Sequence, residues 1–235
     1  SMTIPEGLTL EEIATRVAKN TDHSAKEFMD TATSEAFITQ MMSKYPVLIT
    51  EEVFAENIRY SLEGYLYPAT YPFYEEKPSI ATIIETMIKE MDSMVTDYSA
   101  ALVDMDMTVH QFLTFASLLE EEATAQTDRE TIASVFNNRL NIGMPLQTDP
   151  TVLYAIGSHK DRVLFSDLEI ENPYNTYKNV GLTPGPISGA GKSSLEATIS
   201  PSETDYLYFL ADPTGMNHFA KTYDEHLANI AKYLR

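Results

Sequence analysis

The chain has 235 residues, 43% of them hydrophobic, and carries 35 acidic against 16 basic side chains for a formal charge of −19. This allows one large domain, or one domain with a small appendage; such an acidic surface repels phosphates and so excludes nucleic acid and anionic headgroups as partners. There is no cysteine, which removes disulfides, thiolate metal sites and a cysteine nucleophile.

Ser1-Met2 reads as a cloning remnant ahead of a truncated chain, so a membrane anchor is expected to have been cut away. No apolar run in the sequence approaches the ~20 residues that span a bilayer. Thr3-Ile4-Pro5 reads as a short extended piece. A helix should follow, with Thr9 as cap, Glu12 in the capping-box position and Leu10, Ile13, Ala14 and Val17 as its apolar stripe. Short helices are expected over 24–31 and 34–43, and Tyr45-Pro46 breaks the pattern, placing a boundary near residue 48. Residues 62–78, LEGYLYPATYPFYEEKP, read as an aromatic, proline-rich loop. Ile80, Ile83, Ile84, Met87, Ile88 and Met91 predict a core-facing helix over about 79–96. Helices over about 108–125 and 128–141 come next, and after Gly143 the chain is loop-rich with a short helix following Pro150. A helix over 192–199, a strand over 206–210, a second near 217–220 and a closing helix over 222–234 complete the pattern. The fold class is α+β, predominantly helical with a small antiparallel sheet.

Residues 185–194, GPISGAGKSS, imitate a nucleotide cradle, G-x-x-x-x-G-K-[ST]. The spacing puts Pro186 where the first glycine belongs, and proline has no N–H to offer a phosphate. Gly181-Leu182-Thr183-Pro184 precedes it instead of a buried strand, so the P-loop reading fails. His218, Asp224 and His226 match no metal-ligand spacing, and neither H-E-x-x-H nor G-x-S-x-G occurs. No metal or cofactor is expected.

The stretch ASLLEEEATA over 116–125 is the other candidate. Thr108 and Gln111 form a capping box, and Val109, Phe112, Leu113, Ala116, Leu119 and Ala123 then share one face. On that wheel Glu120 lies beside the stripe, about 45° from its centre, and Glu121 points into water. Glu122 sits on the flank, roughly 115° from the centre. A flank beside apolar groups raises a carboxyl pKa and keeps a proton available near neutral pH, as a general acid requires. The competing reading of the run is a solvated face, and for Glu120 a buried carboxylate bonded to a neighbouring donor such as Arg139 or a backbone amide.

Several longer motifs carry a resemblance: LEGYLYP over 62–68, ASLLEEE over 116–122 and VFNNRLNIGMPLQTDPTVLYAIG over 135–157. PYNTY over 173–177, GLTPGPI over 181–187 and Tyr206-Leu207-Tyr208-Phe209 with Ala211-Asp212 add to it. In these the chain resembles the MltG (YceG-like) family of membrane-anchored endolytic murein transglycosylases, closely over 60–235 and loosely before. Departures fall at Pro68-Ala69-Thr70-Tyr71, which lacks the family's acid at 69, and at Thr183 and Gly189-Ala190-Gly191.

The resemblance implies a partial LysM-like subdomain over 1–48 and a catalytic domain over 49–235. It implies cleavage within nascent glycan strands after N-acetylmuramic acid, leaving an anhydro-muramyl end, with Glu122 as the catalytic acid. Gln147, Thr148, Asp149, Tyr174, Asn175, Tyr177 and Glu63 are implied substrate-binding positions, Glu120 a supporting one, and the GPISGAG loop a wall of the glycan cleft. Peptidoglycan strands are the implied partner together with wall-synthesis proteins, and the catalytic domain is placed outside a membrane by its N-terminal anchor. A hydrolytic muramidase using Glu63 or Asp149 as second carboxylate, or an idle glycan-binding scaffold, stand as alternatives.

Overall fold

Most helices begin where the sequence supplies an oxygen to cap them. β1 (Met2–Thr3) leads to α1 (Leu10–Asn20), opened by the expected Thr9/Glu12 capping box. α2 (Ala25–Ala32) has a second such box from Ser24 and Glu27, and Ser34 caps α3 (Glu35–Lys44). β2 (Thr70–Tyr71) is a strand inside the stretch expected to be pure loop; it pairs antiparallel with β1, Met2 opposite Tyr71. α4 (Ile80–Asp104) follows the cap Ser79. It runs beyond the expected end at 96 because Val95 and Leu102 continue the buried stripe and the Tyr98 ring meets Phe112 edge-on at 5.9 Å. α5 (Val109–Glu121) starts at the reciprocal Thr108/Gln111 bonds of 3.0 and 3.1 Å. α6 (Arg129–Asn141) is capped by Asp128, and α7 (Asp149–Ile156) carries Pro150 in its first turn and stops at Gly157, whose φ of 71° is left-handed. After α8 (Lys192–Ile199), β3 (Tyr208–Ala211) and β4 (Asn217–Ala220) form a hairpin in the register Tyr208 to Ala220. α9 (Tyr223–Tyr233) closes with a third capping box, Thr222/Glu225.

The structure is a computed structural model that describes residues 1–73, 77–124, 127–157, 160 and 162–234; the expected helical residue 125 and loop residues 74–76 lie outside these. Helices dominate and two small antiparallel sheets accompany them, so the α+β reading holds. The chain divides into two compact units: residues 1–120 with 184–195, and residues 121–183 with 196–235. Residues 3–48 lie within the first.

In the first unit Val17, Phe28, Ile83, Ile84, Met87, Ile88, Phe112 and Phe115 are fully buried. At ~25 cal/mol per Å² of apolar surface, each such side chain contributes ~1.5–3 kcal/mol before conformational entropy is charged against it. α5 is buried from Phe112 through Glu120, on every side rather than along a stripe. The 184–191 segment fastens here: Gly7 N–H donates to Gly189 O at 2.8 Å, Gly189 N–H to Leu8 O at 3.0 Å, and Ile187 N–H to Ser117 Oγ at 3.1 Å. His110 Nε2 lies 2.8 Å from Pro184 O, which can only accept, so Nε2 carries the proton and Nδ1 accepts from the Tyr65 hydroxyl at 2.6 Å. Gly64, at φ 78°, lies so close to the loop that an added Cβ would fall 2.3 Å from Pro186 Cβ. Residues 185–191 are buried, so within this unit the loop is part of the packing.

In the second unit the core gathers Ile132, Val135 and Phe136 of α6, Val152 of α7, and Tyr174, with Phe136 edge-on to Phe209 at 6.1 Å. α9 turns His226, Asn229 and Tyr233 inward: His226 stacks on Tyr208 and Tyr233 on His218, while Asn229 Nδ2 donates to Phe219 O.

Candidate active site

α5 ends at Glu121, four residues before the periodicity predicted. The three glutamates nevertheless separate. Glu120 is buried and accepts from Gly191 N–H at 3.3 Å and from the Ser194 hydroxyl. The amide alternative for Glu120 is therefore found. Glu121 is exposed. Glu122 is half-buried in the turn just past the helix, not on a helical flank as the wheel had it.

That location matters for its proton. The Glu122 carboxyl is pushed up from 4.5 to about 7, first by withdrawal from water, then by the charge of Asp149, then by that of Glu121. Its place beyond the last turn of α5 adds the negative end of the helix dipole, which acts in the same direction. A carboxylic acid titrating near neutral pH can both deliver and accept a proton there. The chain after it is held by Thr124 Oγ1 donating to Gly215 O at 2.9 Å and by Asp128 N–H donating to Asn217 Oδ1 at 3.0 Å.

Asp149 is the first residue of α7 and is exposed. Tyr177 donates its hydroxyl to Asp149 Oδ1 at 2.6 Å, and burial, Asp149 and Glu122 all raise the phenol pKa. Tyr177 therefore stays a neutral donor across the working pH range. The QTD and YNTY segments are tied together by threonines. Thr148 N–H donates to Thr176 Oγ1 at 3.0 Å, the Thr151 and Thr176 hydroxyls lie 2.7 Å apart, and Gln147 N–H donates to Thr176 O at 3.2 Å. Asn175 is fully buried; its Nδ2 donates to Leu168 O and Ile170 O, each at 2.9 Å, while its Oδ1 accepts from Tyr177 N–H at 3.0 Å. Tyr174 is buried against Tyr154, ring centroids 4.8 Å apart.

Of the residues singled out from sequence, Glu122, Gln147, Asp149 and Tyr177 share the second unit and have solvent-accessible side chains. Thr148, Tyr174 and Asn175 lie in the same unit but are buried and brace the loops. Glu63 belongs to the first unit, where it is buried and its Oε1 accepts from Leu10 N–H at 2.7 Å at the start of α1. The residue whose partners sequence reasoning missed is Arg139. It is buried, with Nε donating to Leu207 O at 2.7 Å and Nη1 to Pro145 O at 3.2 Å and Leu146 O at 2.7 Å; its guanidinium lies 5.3 Å from the Tyr208 ring centroid. Its position in the VFNNRL motif was visible, but a lone arginine gives no sequence signal that carbonyls rather than an acid will be its partners.

Fold and site thus define a helix-rich α+β protein with a glutamate of raised pKa electrostatically linked to a tyrosine–aspartate pair. Residues 1–232 match the YceG-like family. An endolytic murein transglycosylase of Bacillus subtilis (strain 168) is 52% identical over 233 residues, spanning 99% of this chain and 65% of the relative. One from Streptococcus pneumoniae serotype 2 (strain D39) is 38% identical over 246 residues, 100% of this chain and 44% of the relative. The crystal structure of a YceG-like protein from Listeria monocytogenes superposes with a TM-score of 0.94 at 48% identity, covering 97% of this chain and 75% of that one. The chain belongs to the YceG-like family. It spans less than two thirds of the length of these curated relatives.

Proposed function

We propose that this chain is the catalytic portion of an endolytic murein transglycosylase, and that Glu122 alone supplies its acid and base. The observation that carries this reading is the Glu122 carboxyl, raised to about 7 among accessible polar groups. The names of the relatives support the reaction class.

The protonated Glu122 gives its proton to the glycosidic oxygen after N-acetylmuramic acid as the C–O bond breaks and positive charge develops on the ring. The resulting carboxylate takes the proton of the muramic acid's own primary hydroxyl, whose oxygen closes onto the anomeric carbon. Atoms balance without water: one C–O bond breaks, one forms, and Glu122 ends protonated. An intramolecular nucleophile needs positioning rather than a second activating base. Asp149 keeps the proton on Glu122 at rest, Tyr177 offers a neutral hydroxyl donor, and Gln147 offers its amide to the sugar. Thr148, Tyr174 and Asn175 act by shaping the loops.

A hydrolytic muramidase is the second reading, favoured by the nearness in charge of Asp149, which could serve as the second carboxylate. The catalytic unit works outside the membrane, on nascent strands and alongside wall-synthesis proteins. Mass spectrometry of uncrosslinked glycan strands digested by wild type and Glu122→Gln tests this. Anhydro-muramyl ends on mid-length fragments, absent with the variant, are expected; reducing ends would select the hydrolase, and cleavage by the variant would remove Glu122 from the mechanism.

A further inference from the structure

The backbone at Gln147 is left-handed, φ 53°, a region that a residue with a Cβ rarely occupies. Four residues earlier, Gly143 takes φ 68° at no such cost. A turn serving the fold alone would be filled better by glycine, yet position 147 carries a long amide side chain exposed to solvent. Such strain persists only when the surroundings over-determine it, and here they do. Arg139 Nη1 holds the carbonyls of Pro145 and Leu146 just before it. Thr176 holds the N–H groups of Gln147 and Thr148.

Arg139 is unusual in its own right. A buried guanidinium is costly unless its donors are used, and among the described residues its partners are carbonyl oxygens and one aromatic face, not a carboxylate. Nε reaches Leu207, the residue before β3, while Nη1 reaches the loop, so one planar group brackets two chain segments. A lysine ammonium cannot reproduce that fork.

We infer that Arg139 is a positioning residue: its guanidinium locks Gln147 in the left-handed turn that presents the Gln147 amide to the glycan, two residues from Asp149. The inference deepens the proposed function and rests on it for the identity of the ligand. It assigns Arg139 no proton transfer and no contact with substrate.

The test is a double-mutant cycle of Arg139→Lys and Gln147→Gly in a Glu122→Gln background, reading affinity for uncrosslinked glycan strands by calorimetry, so that turnover is not required. Gln147→Gly relieves the strain and removes the amide; it should weaken binding roughly tenfold with melting temperature unchanged or higher. Arg139→Lys should weaken binding by a similar factor alone, and by less than about twofold once Gln147 is glycine, while its effect on melting temperature is the same in both backgrounds. In the active enzyme, Arg139→Lys should raise KM and leave the pH limb near 7 unmoved. Independent, additive effects of the two substitutions on binding would overturn the inference, as would wild-type affinity in Gln147→Gly. If Arg139→Lys does not fold, Gln147→Gly alone decides, since it leaves the guanidinium in place. Absence of anhydro ends from wild type, with the cycle still non-additive, would overturn the reaction and leave the positioning role standing.

Discussion

Replacing Glu122 by glutamine should stabilise the protein at alkaline pH and leave it unchanged in acid. The carboxyl titrates at about 7 folded against 4.5 ordinarily. Below pH 4.5 it is protonated in both states and contributes nothing. Above 7 it is ionised in both, and the folded state carries the full cost of holding the charge out of water. At 1.36 kcal/mol per pH unit the interval corresponds to about 3.4 kcal/mol, and screening of a half-buried side chain reduces that to about 1.5 kcal/mol. For a chain of this size 1 kcal/mol moves the melting temperature by about 2–4 °C, so Glu122→Gln should melt about 3–6 °C higher at pH 8. Scanning calorimetry at pH 8 and pH 4.5 reads the difference directly. An equal offset at the two pH values, or a loss of stability at pH 8, would refute the raised carboxyl.

Tyr177→Phe removes the hydroxyl that Asp149 accepts at 2.6 Å; kcat/KM should fall roughly tenfold or more, with melting temperature within a few degrees of wild type. Glu120→Ala leaves Gly191 N–H and the Ser194 hydroxyl without their acceptor in a buried place; urea titration should show a loss of about 2–3 kcal/mol, with the pH limb of the remaining activity unmoved. Glu63→Ala takes the acceptor from Leu10 N–H and should cost about 1–2 kcal/mol, while activity per folded molecule stays at the wild-type level. A rise in KM there would instead give Glu63 a role toward the substrate. Gly64→Ala meets both a left-handed φ and Pro186, and should cost about 3 kcal/mol or more in the same titration.

Local rules made the helices legible. Thr9, Ser24, Ser79, Thr108 and Thr222 each stand just before an apolar repeat and cap a helix in the structure. What stayed hidden depends on partners distant in sequence. The β1–β2 pairing joins residues 2–3 to 70–71 with only two residues a strand, too few for alternation to show. The burial of α5 on every side comes from neighbours brought in by the fold, among them the 184–191 loop, so a wheel drawn from its own residues shows only a stripe. The wheel separated Glu120 from Glu121 correctly because both lie inside the helix; it failed at Glu122 because the helix had already ended. The same limit left the donor to Glu120 open between Arg139 and a backbone amide: sequence shows a charge, while its partner is decided by chain segments far away.

Digestion of uncrosslinked glycan strands in heavy-oxygen water, followed by mass spectrometry of the new ends, tests the central claim most directly. A single-glutamate transglycosylase should leave anhydro-muramyl ends one water lighter than reducing ends and free of heavy oxygen, with none formed by Glu122→Gln. Reducing ends carrying the label, or anhydro ends formed by the variant at the wild-type rate, would contradict it.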